Sequence, residues 1–101
     1  MDSRGFEKLS ISSSAVNLTV PARAQSFLGY LETNDVRIRT DGTDPDATTG
    51  TLIKAGSQIL LGSEELKTHK FIRVSADATL NGHFYAEPEA VVAALMAGSI
   101  L

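Results

Sequence analysis

The chain has 101 residues, a formal net charge of −3 and no cysteine, which bounds it to one domain with a single core, near the size where stability stays marginal. Mixed charges without a basic stripe lack the electrostatic footprint of a nucleic-acid binder, and the absence of cysteine excludes disulfide staples and thiolate metal sites. No segment approaches the roughly 20 apolar residues of a membrane span, and the polar start Met1-Asp2-Ser3-Arg4-Gly5 lacks the apolar region of a secretory signal, so a soluble protein made in the cytoplasm is expected.

Leu9-Ser10-Ile11 and Val16-Asn17-Leu18-Thr19-Val20 alternate apolar and polar residues, the period of half-buried strands. Ser12-Ser13-Ser14 separates them as a turn, and Pro21 ends the second run because it has no ladder N–H. Gln25 to Thr33 carries apolar residues on both faces around Phe27-Leu28-Gly29-Tyr30-Leu31, which predicts a central strand covered on both sides. Val36 to Thr40 follows across a two-residue turn, Asn34-Asp35, with Val36 and Ile38 turned to the core and Arg37 and Arg39 outward.

Residues 41 to 50 are rich in Gly, Asp, Thr and Pro, the chemistry of an exposed, replaceable loop. Leu52-Ile53 resumes an extended path, Ala55-Gly56 turns it, and Gln58 to Leu61 makes a short buried strand. Ser63-Glu64-Glu65-Leu66 reads as one helical or acidic turn. Lys70 to Val74 and Thr79 to Tyr85 read as a final strand pair hinged at Ser75-Ala76-Asp77, with Leu80 and Phe84 on one face and Asn81, His83 and Tyr85 on the other. The spacing predicts an all-β domain over residues 1–87, an antiparallel β-sandwich or jelly-roll-like barrel of seven or eight strands.

Residues 88–101 change character. Pro88 suits a first helical turn, Glu87 and Glu89 complement a helix N-terminus, and Gly98 can end the helix. Ala90 to Ala97 is apolar on every side, so the helix must be covered, by its own sheet or by a neighbour. We expect the second: Val91, Val92, Leu95, Met96, Ile100 and Leu101 form an interface with another chain.

Reactive groups are scattered. His69 and His83 lie on separate strands without metal-ligand spacing, and the serines cluster in turns rather than beside an acid and a base. Glu64, Glu65, Glu87 and Glu89 read as helix-end or surface acids rather than a glycosidase pair. Asp41, Asp44 and Asp46 would offer oxygens to calcium, but the EF-hand pattern fails at Thr43 and lacks its distal glutamate. Turn chemistry explains the same residues, and the calcium alternative stays open. Arg37, Arg39 and Arg73 would form a positive stripe for an acidic partner, or a solvated strand face.

From Val36-Arg37-Ile38-Arg39-Thr40-Asp41-Gly42-Thr43-Asp44-Pro45-Asp46-Ala47 onward, through Lys70-Phe71-Ile72-Arg73, Asp77-Ala78-Thr79-Leu80 and Phe84-Tyr85, the chain resembles small structural proteins of tailed bacteriophages. The likeness spans about residues 25 to 86. It implies a virion component with a β-sandwich or jelly-roll-like fold, no enzymatic activity, no cofactor and no catalytic residues to carry over. The expectation that follows is a capsid decoration (cement) protein, binding the major capsid protein shell as a homo-oligomer with Arg37, Arg39 and the tail at its interfaces. A head–tail connector or tail structural protein is the next reading, and a carbohydrate-binding module of a tail fibre the third.

Overall fold

The computed structural model describes the backbone of residues 2–97 and the side chains of residues 2–94. In chain order the elements are β1 (Ser3–Ile11), β2 (Ser26–Glu32), β3 (Val36–Arg39), β4 (Thr51–Ile53), β5 (Gln58–Gly62), α1 (Ser63–Thr68), β6 (Lys70–Arg73), β7 (Ala78–Tyr85) and α2 (Glu89–Ala97). The protein is mostly β, with two antiparallel sheets and two short helices among the described residues. The first sheet has the order β1-β7-β2-β5, the second β4-β3-β6.

Period two makes the strands, and the inward residues make the core. Phe27 and Leu31 of β2, Leu80 and Phe84 of β7, Ile59 and Leu61 of β5 and Ile11 of β1 join Val36, Ile38 and Phe71 of the second sheet in one buried cluster, with Leu18 and Leu66. On the inner face of the first sheet Gly29 and Gly82 sit directly opposite each other. A Cβ built on Gly82 would lie 2.5 Å from Cζ of Phe27 and 2.5 Å from the backbone oxygen of Leu28. The two glycines therefore seat the Phe27 ring, whose edge also meets Phe84 at a centroid distance of 5.0 Å.

Several sequence expectations are corrected. Asn34-Asp35 is not a hairpin turn, because β2 and β3 belong to different sheets. The link is instead a corner: Thr33 takes the left-handed conformation (φ 76°), Asn34 Nδ2 donates to the Asp77 carbonyl at 2.9 Å, and the Asp35 carboxylate accepts the Ala55 N–H at 2.8 Å. β6 and β7 likewise fall in different sheets and are not a pair. Residues 16–20 do not form a strand. Only Val16 pairs, with Phe71 of β6, because the next N–H groups, of Leu18 and Thr19, go to the side chains of His69 and Glu7 instead of a ladder. In the other direction, β1 starts six residues before the Leu9 from which alternation was read. β2 is central in its sheet, yet its outward face is not fully covered, since Tyr30 is 54% exposed.

Candidate docking surface

The outward face of the first sheet follows from the same alternation that fills the core. With Phe27, Leu31, Leu80 and Phe84 inside, the neighbours between them must point out. Register sets Phe6 of β1 beside His83 of β7, His83 beside Leu28 of β2, and Leu28 beside Leu60 of β5. One row along, Lys8, Asn81, Tyr30 and Gln58 line up in the same way. Phe6 is 58% exposed and Tyr30 54%. The Phe6 ring stands 5.0 Å from that of His83, which stands 6.3 Å from that of Tyr85, so exposed aromatic groups continue across two strands. Asn81 is held between them by donating to Glu32 Oε2 at 2.9 Å.

The chain itself covers one end of this face. Ser26 Oγ donates to the Glu87 carbonyl at 2.7 Å. Gly62, which pairs with Ser26, is overlain by the Glu89 side chain: a Cβ there would meet Glu89 Oε1 at 2.6 Å. α2 therefore lies against β5 and β2. Val92 is fully buried there, whereas Val91 is 43% exposed. This corrects the expected interface at Val92: a helix lying along the sheet hides one side chain per turn, and Val92 faces inward. Val91 stays available. The Leu95 and Met96 side chains and all of Ile100 and Leu101, expected at the same interface, lie outside the described residues.

The arginines are engaged locally. Arg37 donates to the carbonyls of Ala47 at 3.0 Å and Gly50 at 2.8 Å, so it holds the loop that follows its own strand. Arg39 forms a two-pronged pair with Asp41, and Arg73 pairs with Asp77. A guanidinium fork matches carbonyl and carboxylate geometry closely, and acceptors two to thirteen residues away reach it first. Each of the three is engaged by a nearby acceptor, and the pairs of Arg39 and Arg73 lie at the surface.

Nor is the 41–50 loop simply replaceable. Pro45 is buried, Asp46 and Thr49 form a bridge, and Lys70 Nζ reaches Asp44 at 2.8 Å. The three carboxylates face three different partners: Asp41 takes Arg39 and the Thr43 N–H, Asp44 takes Lys70, and Asp46 takes the Thr48 N–H. Asp41 is held below the usual carboxylate range chiefly by Arg39, and Asp46 chiefly by the Thr48 N–H. No group of three metal-ligating side chains gathers among the described residues. Beside the loop an open cleft of about 450 Å³ is lined by Ile38, Arg39, Asp41, Thr49 and Gly50.

The remaining acids have local work. Glu65 accepts the Gly62 N–H at 2.8 Å and starts α1, Glu64 pairs with Lys67, and Glu87 accepts the Asp2 N–H at 3.1 Å. His69 is 2% exposed and caps the end of α1, while His83 lies exposed on the outer face. Sequence reasoning did not single out Phe6 and Tyr30. The signal was present in the alternation of Tyr30 with Phe27, Gly29 and Leu31. Among the described residues no helix is long and apolar enough to cross a membrane. No family model matches this chain, and no curated protein and no solved structure is significantly similar to it.

Proposed function

We propose that this protein is a non-enzymatic structural component of a tailed-phage virion, a jelly-roll-like β-sandwich that decorates the capsid. In this reading it binds the shell of major capsid protein as a homo-oligomer, and the outward face of the β1-β7-β2-β5 sheet is the docking surface. One observation carries the docking role: Phe6 and Tyr30, two large side chains, stand more than half exposed on one flat sheet face, where a monomer gains nothing from them. The phage setting rests on the resemblance at residues 36–47 and 70–85. Covering the exposed half of each such side chain is worth roughly 1–1.5 kcal/mol, modest for one contact. Repetition over a lattice of identical sites would raise it through avidity. Lys8 and Arg4 on the exposed edge strand would supply a polar rim.

A second reading draws on the same face. Phe6 and Tyr30, with Asn81 on the strand between theirs and Glu32 one row beyond Tyr30, combine flat rings and amide and carboxylate groups, the elements of a sugar-binding platform. A head–tail or tail position would use the protein-docking chemistry of the first reading.

The test is mass spectrometry and imaging of purified particles released by a host that carries this sequence. The chain is expected in the particle, in many copies on the outer shell. Its absence from intact particles overturns the virion reading. Replacing both Phe6 and Tyr30 by Ser should abolish shell binding while leaving the fold intact. Loss of glycan binding with shell binding retained would favour the sugar platform instead.

A further inference from the structure

His69 is buried, and its two ring nitrogens face opposite demands. Nδ1 lies 3.0 Å from the Glu65 carbonyl and 3.1 Å from that of Leu66. Carbonyls only accept, so Nδ1 carries the proton. Nε2 receives the Leu18 N–H at 2.9 Å and must therefore present its lone pair. The ring fits its site as a neutral imidazole of one tautomer and in no other state.

The segment it holds is a strap, residues 12–20, between β1 and β6. Arg73 N–H donates to the Ser12 carbonyl at 3.0 Å, and Val16 exchanges two backbone bonds with Phe71, at 2.9 and 2.7 Å. Beyond Val16 the strap has only side-chain anchors: His69 for Leu18, and the Glu7 carboxylate for the Thr19 N–H at 2.7 Å. Leu18, at 1% exposed, plugs the core there, and the His69 ring packs edge-on to Phe71 at 5.6 Å.

We propose that His69 is a proton-operated clasp: uptake of a second ring proton ejects residues 17–20, beyond the pairing of Val16 with Phe71, and uncovers Leu18, while the two sheets stay assembled. Nε2–H set against the Leu18 N–H would place donor against donor in a buried site, where an unmade hydrogen bond is costly. The charged groups around the ring are few. β1 contributes Glu7, which favours the imidazolium. α1 contributes Glu65, whose carboxylate is occupied by the Gly62 N–H, and Lys67, which pairs with Glu64. β6 contributes Lys70, drawn away to Asp44. The strap itself has no charged residue. Burial outweighs these effects and holds the ring below its ordinary value of 6.5. The released ring therefore takes up its proton more readily than the clasped one. The clasp is therefore fully closed above about pH 6.5 and weakens as the pH falls below it.

The test is amide hydrogen exchange followed by NMR on the full chain, corrected for the intrinsic pH dependence of exchange, with ¹⁵N spectra of the imidazole. Protonation of the released ring should raise the opening of the Leu18 amide severalfold between pH 8 and pH 5, up to about 30-fold, the limit for a clasped ring that stays neutral throughout. The Leu80 and Phe84 amides should keep their protection over the same range. In His69→Gln, which does not titrate, Leu18 opening should be independent of pH. If that variant fails to fold, the wild-type contrast between Leu18 and Leu80 decides alone. Equal protection of Leu18 at both pH values overturns the clasp. So does parallel loss at Leu18 and Leu80, or a doubly protonated ring with Leu18 still protected.

Discussion

Replacing Gly82 by Ala should destabilise the protein far more than the same change at Gly42. At Gly82 the new methyl carbon would lie 2.5 Å from the Leu28 carbonyl oxygen, 2.5 Å from Phe27 Cζ and 2.6 Å from Gly29 Cα. Two of these three atoms are backbone of a neighbouring ladder strand, so a side-chain rotation cannot relieve them. Overpacking a core typically costs about 1–3 kcal/mol, and a site closed by backbone belongs at the upper end. The smaller unfolded-state entropy of alanine returns roughly 0.4–1 kcal/mol. A net loss of about 2–2.5 kcal/mol follows, or a fall in Tm of roughly 8–20 °C for a domain of this size. Gly42 has φ +83° and nothing within 4 Å, so alanine there meets only the left-handed penalty of about 1–2 kcal/mol, less the same entropy return. Urea unfolding of the two variants beside the wild type, fitted with a common slope, measures the contrast. The double variant Phe27→Leu, Gly82→Ala should recover only part of the loss, because the Leu28 carbonyl stays in place. A Gly82→Ala protein within about 0.5 kcal/mol of wild type would refute the idea that paired glycines seat the Phe27 ring.

Val92→Ala should cost roughly 1–2 kcal/mol in the same assay, the value of about two buried methyl groups, whereas Val91→Ala should leave stability unchanged; equal effects would mean that α2 does not lie on the sheet with Val92 inward. Asp35 is held below the ordinary carboxylate value of 3.8 first by the Ala55 N–H and then by Lys54, and Asp41 and Asp46 are lowered as well. Their contribution to stability is therefore present above the unfolded carboxylate range and lost as the pH falls below about 4, through the depressed native values. Carboxyl ¹³C titration should place all three midpoints under 3.8, and a midpoint at or above it for Asp35 would discount the corner at residues 33–35.

The positions of β2, β3, β4, β5 and β7 were legible within a residue or two, because alternation and turn residues are written locally. Leu80 and Phe84 fell inward and His83 outward for the same reason. Partnership was not legible. The short links at Asn34-Asp35 and Ser75-Ala76-Asp77 look like hairpins, but both carry the chain between sheets; what decides is long-range, Asn34 reaching Asp77 and Asp35 reaching Ala55. Arg37 and Arg39 read as free charge because their acceptors are backbone carbonyls and a turn aspartate, which no periodicity reveals. The strap defeated the strand rule at Leu18 and Thr19, where side-chain acceptors replace the ladder. The docking face was only half legible: alternation turns Tyr30 outward, but which neighbours leave it 54% exposed is set by strand partnership, which alternation does not reveal.

The strand order of the first sheet also constrains how this chain can be made. β7 lies between β1 and β2 and hydrogen-bonds both, yet it leaves the ribosome after β1 to β6. Until residue 85 has emerged, β1 has no ladder partner in its sheet, and β2 can pair only with β5. A nascent chain stalled before that point would carry Phe27, Leu31 and Ile11 without their cover, a species open to wrong pairing and aggregation. Synthesis must therefore outrun misassembly, and a chaperone that holds the first 70 residues apart would raise the yield of folded protein more than one acting after release.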